Sequence, residues 1–258
     1  MTEAEYHANK SLSKSAIDLI LECPALYKAW IEGVGDEEST SSLSFGGMFH
    51  KLTLEPHRFG IEYAVTEHNL STKEGKEFKK EAAGRIICKQ PDYESALLMS
   101  DAVRDHPQAK YLFKDYDAER AIFWEREGIP CKAKPDIVSR ISTTEYSARY
   151  IADLKTTDSA NPAHIRRSIA KYTYYRQAAW YLDGMAAIGE PCDAFIFIFV
   201  EKSYPHLVTM CQLDNAALEA GRADCARAIS KLKECRETGL YPCYTQDILT
   251  ISLPPWAA

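Results

Sequence analysis

Hydrophobic and polar positions alternate in the middle of the chain, within residues 131–155. β-Branched and aromatic residues occur at Ile137-Val138 and again at Tyr150-Ile151, and residues 142–145 between them are polar. Residues of this kind favour half-buried strands, and a short polar segment between two strands favours a turn. The pattern therefore predicts a β-hairpin.

Helical and strand-like segments are predicted on both sides of this hairpin. Helices are predicted within residues 11–31, after Gly46-Gly47 and ending before Pro56, within 71–114, from Asp158 or Asn161 through Ala170, from Tyr174 to Ile188, and from Ala216 to Glu237. Further strands are predicted at Asp117 to Glu125, Phe195 to Val200 and Leu207 to Leu213. The strand at 117–125 and the two hairpin strands are expected to be consecutive antiparallel neighbours. This order predicts an α/β (α+β mixed) fold, in which a mixed sheet of about five strands is flanked by helices.

The second strand of the hairpin carries two charged side chains on one face. Strand side chains alternate, so Asp153 and Lys155 point the same way, and Asp136 reaches them from the neighbouring strand if the register allows. Two carboxylates beside an ammonium suit a hard divalent cation and phosphodiester hydrolysis. An Asp-x-Lys pair on an exposed strand is more often a solvated ion pair that contributes about 0–1 kcal/mol. The spacing alone leaves both interpretations open.

Composition and charge narrow the class of protein. The 258 residues, 46% of them hydrophobic, are enough for one large domain, and we expect a helical part at about 1–114 and a core at about 115–240. The net charge of −6 argues against a protein that holds nucleic acid through its overall charge. The first residues lack the pattern of a secretory signal and no apolar run is long enough to span a bilayer, so we expect a cytoplasmic protein with no membrane contact. The eight cysteines show no zinc-site spacing.

A basic and aromatic stretch follows the hairpin. Its cations are Arg166, Arg167, Lys171 and Arg176, and they are interleaved with Tyr172, Tyr174 and Tyr175. Such interleaving suits phosphate contact and base stacking, although an amphipathic helix packed on a sheet explains the tyrosines equally well. Tyr174, Gln177 and Tyr181 lie at i, i+3 and i+7 and are predicted to share one helix face.

Four motifs together resemble the PD-(D/E)XK nuclease superfamily, and within it the RecE-type exonucleases of phages and prophages. The motifs are Gly-Gly-Met-Phe-His at 46–50, Lys-Pro-Asp at 134–136, Asp-Leu-Lys-Thr-Thr at 153–157 and Tyr-x-x-Gln-x-x-x-Tyr at 174–181. They occur in the family's order between about Ser11 and Glu201. The resemblance implies a restriction-endonuclease-like core.

The resemblance also implies roles for individual residues. His50, Asp136 and Asp153 would bind Mg²⁺, for which Mn²⁺ would substitute, and Asp136, Asp153 and Lys155 would be catalytic, with Lys155 assisting the attacking water. Glu119 is a possible additional acidic residue near the metal. The residues expected to bind DNA or support the site are Tyr174, Gln177, Arg166, Arg167 and Lys171.

For the whole protein, the resemblance implies a Mg²⁺-dependent exonuclease that digests linear duplex DNA from 5′ to 3′. The resulting 3′ tails would serve recombination through a single-strand annealing protein, and the enzyme would act as a homo-oligomeric ring. Some relatives hold an iron–sulfur cluster through a Cys-Pro motif like Cys23-Pro24 and a compact C-terminal cysteine group. Cys225, Cys235 and Cys243 are too dispersed, so no cluster is expected. A structure-specific or restriction-type endonuclease, or a non-catalytic DNA-binding subunit with the same fold, remains an alternative.

Overall fold

The chain is described by a computed structural model over residues 3–34, 41–142, 144–245 and 247–256. The helices are α1 Glu3–Ala8, α2 Lys14–Glu22, α3 Pro24–Ile31, α4 Ser41–Leu54, α5 Phe59–Glu62, α6 Lys73–Glu81, α7 Gln90–Asp105, α8 Pro162–Lys171, α9 Tyr174–Ala187 and α10 Asn215–Thr238. The strands are β1 Tyr63–Thr66, β2 Ile86–Lys89, β3 Tyr116–Ala118, β4 Ile122–Arg126, β5 Ile129–Ala133, β6 Ile137–Ser142, β7 Ser147–Thr157, β8 Ala194–Glu201 and β9 Val208–Gln212. Turns of 3₁₀ helix lie at Pro56–Arg58 and Ala109–Phe113.

A five-stranded mixed sheet forms the centre of the fold, with the strand order β3-β6-β7-β8-β9. The β7–β8 pair is parallel and the other neighbours are antiparallel. The two strands of the predicted hairpin are β6 and β7, and the apolar segment around Phe197 is the central strand β8. The predicted mixed sheet with flanking helices is therefore confirmed.

Two hydrophobic clusters cover the two faces of this sheet, because side chains of each strand alternate between them. One face, with Ile151 and Phe197, packs against α2, α9 and α10. The other face, with Leu154 and Ile198, packs against α4 and α7. Because both faces are covered, β8 is apolar at nearly every position. Each cluster combines residues from before and after residue 115, which supports the proposal that the helical part and the core form one domain.

Polar side chains fix the starts of several helices. Ser13 accepts a hydrogen bond from the backbone N–H of Ala16 at the start of α2, and Asp214 accepts one from Ala217 at the start of α10. At α8 the cap is Asn161, which accepts from the N–H of Ala163. These contacts satisfy N–H groups that the first turn of a helix leaves without partners. Of the two caps predicted for α8, Asn161 rather than Asp158 is used.

The strand predicted at Asp117 to Glu125 is wrong as one continuous element. Glu119 has a φ of 51°, in the left-handed region, so the chain turns there and divides into β3 and β4. Only β3 joins the central sheet, beside β6. The separate hairpin of β4 and β5 is closed by Glu127 and Gly128, whose φ values of 54° and 77° suit a two-residue turn. The three expected antiparallel neighbours are present as β3, β6 and β7, but they are not consecutive along the chain, because β4 and β5 lie between β3 and β6.

Two further differences lie in the first 114 residues. Strands β1 and β2 pair in parallel within the part that was expected to be helical. Each strand has only four residues, which are too few to show a clear alternation of apolar and polar positions. Helix α4 begins at Ser41 and includes Gly46 and Gly47, whereas the sequence predicted a start after these glycines. No helix in the described ranges is long and apolar enough to cross a membrane.

Close packing of α10 on α9 generates a stability prediction. A Cβ added at the buried Gly221 would lie against the carbonyl oxygen of Tyr175 and 2.8 Å from Cβ of Ala179. We expect Gly221→Ala to lower the free energy of unfolding by about 1–3 kcal/mol, because overpacking forces the two helices apart. Thermal unfolding measures the effect. Gly46→Ala, also within a helix but with open space at the added Cβ, should be neutral or slightly stabilising, and an equal loss in both variants would contradict the packing argument.

Candidate active site

The pairing of β6 with β7 brings two carboxylates together. Ile137 is opposite Ala152, so Asp136, just before β6, lies beside Asp153. The backbone N–H of Leu154 donates a 2.8 Å hydrogen bond to Oδ2 of Asp136. Both aspartates are buried, with 8% and 1% of their surface exposed. Two acidic side chains are thus held side by side away from solvent.

Lys155 lies on the same face as Asp153, as the alternation along the strand predicts. Its Nζ is 2.5 Å from Oδ2 of Asp153. Burial alone would lower the pKa of Lys155, but the charges of Asp153 and Asp136 outweigh this effect and raise it. The ammonium is therefore protonated at neutral pH. An exposed pair of this kind contributes little, but Asp153 is almost fully buried, so its neutralisation by Lys155 matters for stability.

Asp136 carries the unfavourable charge of the site. Burial raises the pKa of its carboxyl well above the usual value, and the nearby carboxylates of Asp153 and Glu119 raise it further. Among the described residues, no lysine or arginine forms an ion pair with Asp136. Its charged form is consequently disfavoured unless a cation binds nearby.

His50 approaches Asp136 from α4, which packs on the face of the sheet opposite to that of Asp153 and Lys155. Its Nε2 is 3.1 Å from the carbonyl oxygen of Leu154, and its Nδ1 is 3.4 Å from Oδ2 of Asp136. Burial lowers the pKa of His50 to about 4, so the ring is neutral at pH 7. A neutral ring that donates from Nε2 to the carbonyl presents a lone pair at Nδ1. The lone pair and the carboxylate then face each other, and a cation between them would satisfy both.

Glu119 joins this group from the turn that ends β3. Its backbone N–H donates to the carbonyl oxygen of Asp136 at 2.9 Å, and its Oε2 is 2.7 Å from Nζ of Lys134. One ligand atom each from His50, Glu119 and Asp136 lies within 4.8 Å of the others. Lys134 was missed as a site residue, although its position two residues before Asp136 in an extended segment places it on the same side.

These residues fit a divalent cation. Two carboxylates and a neutral imidazole are suitable ligands, and carboxylates favour Mg²⁺ or Mn²⁺. Asp153 lies outside the set of three, and its oxygens have other contacts: Oδ1 accepts a 2.5 Å hydrogen bond from Nε2 of Gln177, and Oδ2 faces Lys155. The structure brings all of His50, Asp136, Asp153 and Lys155 into one site. The role of Asp153 as a metal ligand stays a prediction.

Helix α9 supplies side chains that contact Asp153 and Lys155. Gln177 donates to Asp153, and the ring of Tyr174 lies under the ammonium of Lys155, with Nζ 4.8 Å from the ring centroid. Tyr181, one turn further, is close enough to Asp153 for the carboxylate, after burial, to raise the pKa of its hydroxyl. The predicted shared face of these three residues therefore points to the site.

The structure places the predicted basic residues in different surroundings. Arg167 and Lys171 line a cleft of about 380 Å³ together with Tyr174, whose ring contacts Lys155. Arg166 is exposed on α8 but does not line this cleft. Arg176 is not available for phosphate, because it pairs with Asp18 at 3.0 Å and with Asp224 at 2.5 Å. Of the four cations, Arg167 and Lys171 thus line this cleft without a carboxylate partner among the described residues.

Comparisons with known proteins identify the family and the fold of the chain. Residues 13–252 match a family model described as a PDDEXK-like domain of unknown function (DUF3799). The chain is similar in structure to a Eubacterium rectale protein described as a "Putative exonuclease", with 13% identity, a TM-score of 0.65, and coverage of 98% of this chain and 96% of that one. At that identity the likeness shows a shared fold.

A second similar structure is an alkaline exonuclease from Laribacter hongkongensis, with 14% identity and coverage of 91% of this chain and 95% of that one. Its TM-score of 0.36 is too low to support an argument. No curated protein matches the sequence. The resemblance to PD-(D/E)XK proteins that the four motifs indicated is confirmed by the family match.

The charge at Asp136 generates a testable prediction. We expect Asp136→Asn to raise the melting temperature of the metal-free protein, because it removes a buried charge while the amide oxygen still accepts from Leu154. A rise of about 2–4 °C would correspond to ~1 kcal/mol in a chain of this size. Differential scanning fluorimetry with EDTA, and then with added Mn²⁺, measures both stability and metal binding.

The same variant should lose most of the stabilisation that Mn²⁺ gives to the wild type. Asp115→Asn serves as the control, because Asp115 is an exposed carboxylate that pairs with Arg140 on the surface. It should keep the full response to Mn²⁺. An unchanged metal response in Asp136→Asn would exclude this carboxylate as a ligand.

Proposed function

Because this chain belongs to the family of PDDEXK-like domains, we propose that it is a Mg²⁺-dependent deoxyribonuclease that degrades linear duplex DNA from its ends. One observation carries the proposal. Asp136 and Asp153 lie buried side by side next to Lys155, and His50 and Glu119 complete a set of groups suited to a divalent cation. These charged groups would serve phosphodiester hydrolysis by holding a cation, whereas buried carboxylates do not improve packing.

The cation, when bound, would neutralise charge on the scissile phosphate and lower the pKa of an attacking water. His50, Glu119 and Asp136 are the residues that would hold it. Asp153 has both oxygens occupied by Gln177 and Lys155, so its position is fixed before substrate arrives. Such preorganisation lowers the cost of reaching the reactive geometry.

Lys155 acts as a charged group in this mechanism. The neighbouring carboxylates raise its pKa, so Nζ keeps its proton at neutral pH. A protonated lysine can orient a water or stabilise negative charge on a phosphate oxygen, but it cannot accept a proton. We therefore assign Lys155 to charge stabilisation and positioning rather than to deprotonation of the water.

The finer features of the proposal rest on the resemblance to RecE-type exonucleases. They are digestion from 5′ to 3′ and assembly as a homo-oligomeric ring. Digestion would leave 3′ single-stranded tails for a single-strand annealing protein in phage or prophage recombination. The net charge of −6 is compatible with a ring, because only the inner surface must be basic when DNA is enclosed.

Substitution of the catalytic lysine tests the activity. With Mg²⁺ and end-labelled linear duplex, the wild type should release nucleotides, and Lys155→Ala should reduce the rate by about 100-fold or more while keeping the thermal response to Mn²⁺. Lys110→Ala, at an exposed lysine outside the site, is the matched control and should retain full activity.

Closed circular duplex in the same assay separates an exonuclease from an endonuclease. We expect circles to remain intact, and cutting of circles would favour the endonuclease alternative. Labels placed at the 5′ or the 3′ end report the polarity. If the wild type releases no nucleotides from linear DNA, the proposed activity is wrong and the non-catalytic alternative is favoured.

The cleft beside α8 generates a prediction about DNA binding. Arg167 and Lys171 are one helical turn apart and line the same cleft, so we expect Arg167→Ala and Lys171→Ala to weaken DNA binding in EDTA. Each should reduce the slope of log affinity against log salt by about 0.9 if it removes one phosphate contact on duplex DNA. Arg166→Ala, next in sequence but off the cleft, is the control. An equal effect of all three substitutions would indicate a diffuse charge effect without a defined cleft.

A further inference from the structure

Tyr172 forms the outer end of a series of contacts that begins at the catalytic lysine. The ammonium of Lys155 lies over the ring of Tyr174, and the ring of Tyr174 stacks on that of Tyr172, with centroids 5.6 Å apart and planes inclined by 29°. Tyr172 is 49% exposed, so its ring is not enclosed by the protein. An exposed aromatic ring therefore lies close to the reacting groups.

The backbone is held in an unfavourable conformation to place these two rings together. Thr173 between them has φ 53° and ψ 38°, the left-handed region that β-branched residues rarely adopt. Contacts from α2 lie around it: Oδ1 of Asp18 is 3.2 Å from the hydroxyl of Thr173, and Nζ of Lys14 donates to the carbonyl of Tyr172 at 3.1 Å. Outliers of this kind occur often at functional sites.

The surroundings of Tyr172 are suited to a polyanion. Lys171, Tyr172 and Tyr174 line both of two adjoining clefts, of about 580 and 380 Å³. Within the described part of the chain, neither Arg167 nor Lys171 forms an ion pair with a carboxylate, and Nζ of Lys171 lies 5.1 Å from the ring centroid of Tyr172. A ring flanked by available cations is the arrangement by which proteins bind single-stranded nucleic acid.

We propose that the exposed ring of Tyr172 stacks on an unpaired nucleobase of the strand being cut, an inference that rests on the proposed nuclease function. Inside a duplex, both faces of a base are covered by its neighbours. Apart from the outer face of the last base pair at a blunt end, only an unpaired base offers a free face, and a phosphate on either side of it would meet Arg167 or Lys171. The site therefore takes a strand that has separated from its complement. Tyr172 contributes to the selection of DNA ends whose strands are unpaired.

Binding without cleavage tests the stacking directly. The probe is a short duplex with a single-stranded overhang containing 2-aminopurine, in EDTA. Stacking on Tyr172 should quench the fluorescence, and Tyr172→Ala should abolish the quenching and raise Kd by about fivefold or more. Tyr172→Phe keeps the ring and should behave as the wild type. Tyr111→Ala is the matched control, because Tyr111 is also exposed and lies beside lysines, Lys110 and Lys114.

A measurement on the wild type alone guards against misfolding of the variants. A nucleotide without its base is placed at successive positions from the strand end. At one of these positions, loss of the base should raise the Kd of the wild type by the same factor as Tyr172→Ala does with the intact strand. With Mg²⁺, Tyr172→Ala should raise KM more than it lowers kcat, since a flanking base contributes equally to substrate and transition-state binding.

The outcomes separate the two proposals. If the wild type degrades DNA but Tyr172→Ala is unchanged in quenching, Kd and KM, the stacking inference is wrong and the nuclease proposal stands. If Tyr172→Phe is as impaired as Tyr172→Ala, the hydroxyl rather than the ring is responsible, which also overturns the inference. If the wild type releases no nucleotides, the nuclease proposal is wrong, and the quenching in EDTA still decides whether the ring binds a base.

Discussion

The register of β6 against β7 is the constraint on which the site depends. It places Asp136 beside Asp153 in a buried position where two like charges repel each other. A slip of one residue would turn the side chain of Asp153 to the opposite face of the sheet, among the apolar residues packed against α4 and α7. The packing of those faces fixes the register, so the hydrophobic clusters on the two sides of the sheet are also what keeps the carboxylates together.

The three carboxylates of the site differ in how their negative charges are compensated. Asp153 is neutralised by Lys155, and Glu119 by Lys134, each at ion-pair distance. Asp136 receives a hydrogen bond from the backbone of Leu154 but no ion pair from a lysine or arginine of the described chain, and the lone pair of His50 faces it. The described residues therefore leave the charge of Asp136 without a lysine or arginine partner, and in the proposed function a divalent cation would supply the missing positive charge. If that proposal holds, the buried charge of Asp136 lowers the stability of the metal-free protein and metal binding restores it.

Local patterns predicted those parts of the site that depend on a single element. Alternation along β7 was sufficient to place Asp153 and Lys155 on one face, and helical spacing was sufficient to place Gln177 with Tyr174. His50 could not be found in this way, because it is separated from Leu154 by more than a hundred residues and only the fold brings it there; the resemblance to a known family supplied it. Glu119 reaches the site through a left-handed turn that divides the predicted strand, and nothing in the residues around it indicates that turn. Strands β1 and β2 were missed because parallel pairing joins segments that are distant in sequence.

Helix α9 connects the packing of the fold to the order of the site. Its first two turns carry Tyr174 and Gln177, which contact Lys155 and Asp153. Close approaches at two glycines hold this helix: Gly221 of α10 packs against the carbonyl of Tyr175 near the start of α9, and Gly184 near its end packs against the ring of Trp124. Close-packed contacts of this kind resist small displacements. A shift of α9 would therefore move Gln177 and Tyr174 away from Asp153 and Lys155, so that the tight packing of α9 serves both stability and the positioning of Lys155.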